Sequence, residues 1–110
     1  MNLKRKKVSF TGEEMGKIKE ICELYRMQPA TWIRITVCEN IGKIARQVEK
    51  NEFLPCKGYG DGKKESVDVG FPLKYIDEIV MLKKKTGVSY EMLIRMVILP
   101  EIDRKAKEIR

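Results

Sequence analysis

Four consecutive cations, Lys4-Arg5-Lys6-Lys7, run into Val8-Ser9-Phe10, and their alternation decides what they can do. Successive side chains of an extended chain point to opposite faces. Arg5, Lys7 and Ser9 therefore share one face, and Val8 and Phe10 share the other. Alone, a basic run is commonly a solvated tail. Here it opens an alternating strand in a chain of formal net charge +7 and pI about 9.4. An excess of that size favours a polyanionic partner, of which nucleic acid is the commonest.

Other chemistry finds little support. Histidine is absent, which removes the commonest general base and the usual nitrogen ligand for metals. Cys22, Cys38 and Cys56 are odd in number and lack Cys-x-x-Cys spacing, pointing to free thiols in a reducing cytoplasm. Gly58-Tyr59-Gly60-Asp61-Gly62 superficially resembles a phosphate loop, but no Gly-Lys-Ser/Thr follows it. No carboxylate pair stands at a catalytic spacing. The expectation is a protein that is not an enzyme and uses no metal or cofactor. No apolar run approaches the roughly 18 residues of a membrane span. The basic start also lacks the apolar stretch of a secretory signal. A cytoplasmic protein without membrane contact is expected.

The elements that must position the basic strand follow from periodicity. With 110 residues, 43% hydrophobic and 35% charged, the chain suits one globular domain. After the strand Arg5–Phe10, Thr11 reads as an N-cap with Glu13 and Glu14 in the first turn. Met15, Ile18, Ile21, Cys22 and Tyr25 then form one apolar helical stripe. Gln28-Pro29 starts a second helix, whose apolar positions are Trp32, Ile33, Val37, Ile41, Ile44, Ala45 and Val48. Residues 51–64 hold three glycines and a proline and read as a linker. Fully extended it reaches about 45 Å.

Beyond it the pattern restarts. Val67, Val69 and Phe71 alternate with Ser66, Asp68 and Gly70. Pro72 opens a helix carrying Ile76, Ile79, Val80 and Leu82, and Thr86-Gly87 ends it. Ser89 caps a last helix with Leu93, Ile94, Val97 and Ile98 on one side, and Pro100 is expected to kink or restart it. Lys83-Lys84-Lys85 reads as a solvated helix end that complements the dipole.

Phe71 stands 61 positions after Phe10, and at that offset the halves align without a gap. Val8 meets Val69, Ile18 meets Ile79, Met27 meets Val88 and Ile33-Arg34 meets Ile94-Arg95. Ile41, Ala45 and Val48 meet Ile102, Ala106 and Ile109. The chain thus divides into a first unit at 1–50, a linker at 51–64 and a second unit at 65–110, an internal repeat. A lone strand–helix–helix unit cannot bury its apolar faces, and a lone strand is not stable in water. Pairing two units solves both problems. It gives a mainly α fold with a two-stranded antiparallel ribbon over four helices, around Phe10, Phe71, Trp32 and Leu93.

These features resemble the ribbon–helix–helix family of DNA-binding proteins, the Arc/MetJ/CopG-type repressors. The resemblance lies in the short strands Lys7-Val8-Ser9-Phe10 and Asp68-Val69-Gly70-Phe71, and in the helices starting straight after them at Thr11 and Pro72. It extends to the second helices, opening at Met27-Gln28-Pro29 and Val88-Ser89-Tyr90, and covers roughly residues 4–48 and 65–109. Two units in one chain look like the tandem members, which include accessory proteins of conjugative relaxosomes.

The resemblance implies that the ribbon enters the major groove of double-stranded DNA. Carried over by position, the base-reading set is Arg5, Lys7, Ser9, Ser66, Asp68 and Gly70. Arg5 and Lys7 suit guanine O6 and N7, and Asp68 suits cytosine N4 but repels phosphates. The amide-rich starts of the second helices would hold phosphates, giving Gln28, Ala30, Thr31, Ser89 and Tyr90, with Lys4 beside them. Pro29 removes one donor, and Glu91 sits unfavourably for a phosphate.

Charge divides unevenly: residues 1–50 carry 11 basic and 6 acidic side chains, residues 51–110 carry 12 and 10. An asymmetric reader led by the first strand is expected, acting as a transcriptional repressor or a relaxosome accessory factor. Further copies of the chain on DNA, or a relaxase-type protein, are the other partners implied. The competing reading is a protein-interaction module that keeps the fold without specific DNA binding.

Overall fold

Val8, Phe10, Val69 and Phe71 are completely buried, and this apolar face sets the two strands down on the helices. The computed structural model describes residues 3–52 and 63–109. Its elements, in chain order, are β1 (Leu3–Thr11), α1 (Gly12–Tyr25), α2 (Pro29–Glu49), β2 (Lys64–Pro72), α3 (Leu73–Thr86) and α4 (Tyr90–Ile109). The protein is mainly helical, with one two-stranded antiparallel sheet. Each element of the second half begins 61 residues after its counterpart: Lys64 after Leu3, Leu73 after Gly12, Tyr90 after Pro29. Both strands have the same alternation of exposed and buried positions.

The register places Lys7 opposite Asp68, Arg5 opposite Gly70, Val8 opposite Val67 and Ser9 opposite Ser66. Asp68 also stands 61 positions after Lys7, so the 61-residue offset and the pairing share one centre. Below the ribbon lies a single core that includes Trp32, Ile33, Val37, Leu93, Ile94 and Ile98.

Local chemistry explains the boundaries. Thr11 caps α1 through a reciprocal box: its hydroxyl accepts from the Glu14 amide at 3.1 Å, and the Glu14 carboxylate accepts from the Thr11 amide at 2.9 Å. Gln28 is the N-cap of α2 with Pro29 at the first helical position. Ser89 accepts from the Met92 amide at 3.2 Å where α4 begins. Gly87 ends α3 in the left-handed conformation at φ 74°, the position at which a missing Cβ is an advantage.

Several boundaries differ from expectation. The strands are longer than alternation alone indicates, because cross-strand pairing extends each past its buried stripe to nine residues. Pro72 closes β2 and caps α3, which starts at Leu73. Lys64, expected in the linker, is the first residue of β2. Pro100 does not restart a helix: α4 runs through it to Ile109. Val80 is 40% exposed rather than part of the buried stripe. Residues 53–62, with Cys56 and the glycines of the expected linker, lie outside the described residues.

Candidate nucleic-acid interface

The face of the ribbon turned away from the core carries the expected base-reading set. Arg5, Lys7, Ser66 and Asp68 are exposed, and Ser9 and Gly70 are half-buried. The strand period alone puts all six on one side. Two cross-strand contacts shape the surface between them. Ser9 and Ser66 share a hydroxyl–hydroxyl hydrogen bond of 2.9 Å. At Gly70 an added Cβ would lie 3.2 Å from Leu3 Cδ1, so the Leu3 side chain covers the space that Gly70 leaves open. Lys4 has the opposite parity, opposite Phe71, and is an exposed rim residue rather than part of this face.

The two second-helix starts meet different strands. Gln28, Pro29 and Ala30 share a cleft of about 390 Å³ with Ser66 and Asp68, at the β2 edge. No side-chain hydrogen bond caps α2 there; Gln28 is exposed, and Ala30 and Thr31 are half-buried. The start of α4 lies instead against β1. The Tyr90 hydroxyl donates to the Lys7 carbonyl at 3.1 Å, and a Glu91 carboxylate oxygen accepts from the Ser9 amide at 2.7 Å. Lys6 Nζ lies 4.8 Å from the centre of the Tyr90 ring, a cation–π contact.

Of the expected phosphate set, then, Gln28, Ala30 and Thr31 flank β2, whereas Ser89 and Tyr90 flank β1 with their hydroxyls engaged in capping and strand contacts. Sequence reasoning missed the Tyr90 and Glu91 contacts to β1. The signal was available, since Tyr90-Glu91 replaces Pro29-Ala30 at the same place in the repeat.

No family model, curated protein or solved structure matches the chain. What the face can do rests on its own geometry.

One buried ion pair anchors that geometry from below. Arg95, 2% exposed, donates from both terminal nitrogens to Glu14, at 2.6 and 3.0 Å, and its guanidinium carbon lies 5.9 Å from the Phe10 ring centre. Burial alone would raise the Glu14 carboxyl, but the Arg95 guanidinium and the Thr11 amide outweigh it and hold the group below its ordinary value. Glu14 thereby joins the start of α1, the base of β1 and the middle of α4. On the β2 side, Lys19 grips Glu65 at 3.2 Å on the surface. Among the described residues no group of three or more cysteine or acidic side chains could hold a metal ion. Nor, among them, is any helix long and apolar enough to cross a membrane.

Proposed function

We propose that this protein binds double-stranded DNA by laying its two-stranded ribbon in the major groove, as a tandem ribbon–helix–helix protein whose two units pair within one chain. The observation that carries this reading is the outward ribbon face, where Arg5 and Lys7 stand exposed while Val8, Phe10, Val69 and Phe71 are buried on the opposite face. A major groove about 12 Å wide admits a two-stranded ribbon. The common centre of repeat and register at Lys7 and Asp68 is what two paired copies of one unit require. Net charge +7 supports a polyanionic partner.

In this reading the protein is not an enzyme and needs no cofactor. Its free thiols suit the cytoplasm, and it works as a transcriptional repressor or as an accessory factor at a transfer origin. Both roles use the same ribbon, with further copies on DNA or a relaxase-type protein as added partners. The test is selection of bound sequences from a random duplex pool, followed by Arg5→Ala and Lys7→Ala. Each substitution is expected to weaken the selected site by about 1–3 kcal/mol and to relax preference at one position. Unchanged affinity and preference in the double variant would show that the strand is not the reader.

Asp68 at the centre of the face favours a second reading, a protein-interaction module without specific DNA binding. Affinity for duplex that falls steeply with salt argues for the first reading; no binding even at low salt argues for the second.

A further inference from the structure

We infer that the DNA interface is one-sided: Lys6 and Lys83 form a phosphate-binding flank along the outer edge of β1 that has no counterpart along β2 among the described residues. The inference rests on the proposed ribbon-in-groove reading and adds which side of the ribbon the backbone contacts occupy.

Folding redistributes the charge that the sequence divides between halves. Beside β1 lie the end of α3 and the start of α4, both from the second half. Lys6, Lys83 and Tyr90 line one small cavity of about 50 Å³ whose other walls are apolar residues of α3 and α4. Among the described residues no carboxylate lines it. Lys83 is exposed and shares its helix face with Ile76, Ile79 and Val80, which turns it toward the ribbon rather than away. Lys4 lies on the same side of β1 as Lys6, two residues along. Glu91, the nearby acid, has its carboxylate on the Ser9 amide.

The positions 61 residues away give the opposite environment. Lys4, Lys6 and Lys83 correspond to Glu65, Val67 and Cys22. Glu65 is paired with Lys19, and Cys22 is buried. The last turn of α3 carries Lys83, Lys84 and Lys85, whereas the last turn of α1 carries no basic residue. A ribbon in the major groove has one phosphate strand along each outer edge. Among the described residues, the β1-side cavity sets two ammonium groups together with no carboxylate, whereas the β2-side cleft sets Glu65 and Asp68 beside Lys19.

The test measures the salt dependence of binding to a random-sequence duplex for the wild type, Lys6→Ala, Lys83→Ala and Lys43→Ala. Lys43 removes the same charge from an exposed site 14 residues beyond Pro29 along α2, about 21 Å from that helix start. The slope of log affinity against log salt should become shallower by about 0.9 in Lys6→Ala and again in Lys83→Ala, and stay unchanged in Lys43→Ala. Lys83 is exposed, so its variant keeps the fold, and Lys6→Arg should restore the wild-type slope. Equal slopes in all four proteins, or equal losses in all three variants, would overturn the one-sided flank while leaving the ribbon reading intact. Absence of duplex binding by the wild type at low salt would overturn both.

Discussion

Arg95 and Glu14, 81 residues apart in the chain, meet through two hydrogen bonds beneath the ribbon. Neither has an equivalent partner in the repeat: 61 positions away from each stand Arg34 and Tyr75. The pair therefore belongs to one side of the molecule only. Breaking it from one end leaves the buried guanidinium without its counter-charge. Glu14→Gln should cost about 3 kcal/mol, the lower end for a buried pair because Glu14 remains partly exposed. Arg95→Met, which replaces the charge by a side chain of similar reach, should cost less. Urea unfolding with an unchanged slope and a lowered midpoint checks both.

Acid should reveal the same contact. The Glu14 carboxyl is held below its ordinary 4.5 in the folded protein. Its contribution is therefore fully present above about pH 4.5 and is lost as pH falls through the depressed folded value. The melting-temperature gap between wild type and Glu14→Gln should narrow as pH falls below about 4.5. A constant gap would mean that the carboxylate is not what Arg95 needs.

The cysteines should behave as packing residues. Burial pushes the Cys22 thiol up to about 11, and it raises Cys38 as well, with nearby acids adding to it and Arg34 opposing. In a Cys56→Ser chain at pH 8, a thiol reagent should react slowly with both and rapidly once denaturant is added. The sign for stability is opposite to that of Glu14. Cys22 favours the fold below about pH 9 and loses that contribution as pH rises toward 11.

Helix ends provide a backbone test. Arg26 at φ 55° and Gly87 at φ 74° occupy corresponding left-handed positions after α1 and α3. A Cβ in that conformation costs roughly 1–2 kcal/mol. Gly87→Ala should destabilise by about 1 kcal/mol, and Arg26→Gly should stabilise by about 0.5–1 kcal/mol. Opposite shifts in thermal midpoint are expected.

Asp68, exposed opposite Lys7, should oppose general affinity while adding selectivity. Asp68→Asn should tighten binding to a random-sequence duplex and weaken discrimination at one base pair, where a carboxylate would accept from cytosine N4. Competition between selected and random duplexes measures both at once. Unchanged affinity and discrimination in this variant would place Asp68 outside the interface.

The elements were legible in the sequence because their determinants are local. Val8 and Phe10 in alternation, Thr11 with Glu14, Gln28 before Pro29, and Thr86-Gly87 each act within a few residues. The 61-residue offset carried the plan of the second half from the first. Only tertiary structure could bring α4 against β1 and α2 against β2, since that choice depends on how two apolar faces close over one core. It turned Arg95 inward to Glu14, tied Glu91 to the Ser9 amide and set Lys83 beside Lys6. Periodicity tells which face a residue occupies. Which neighbour that face meets is decided by packing, and with it which flank of the ribbon gathers the positive charge.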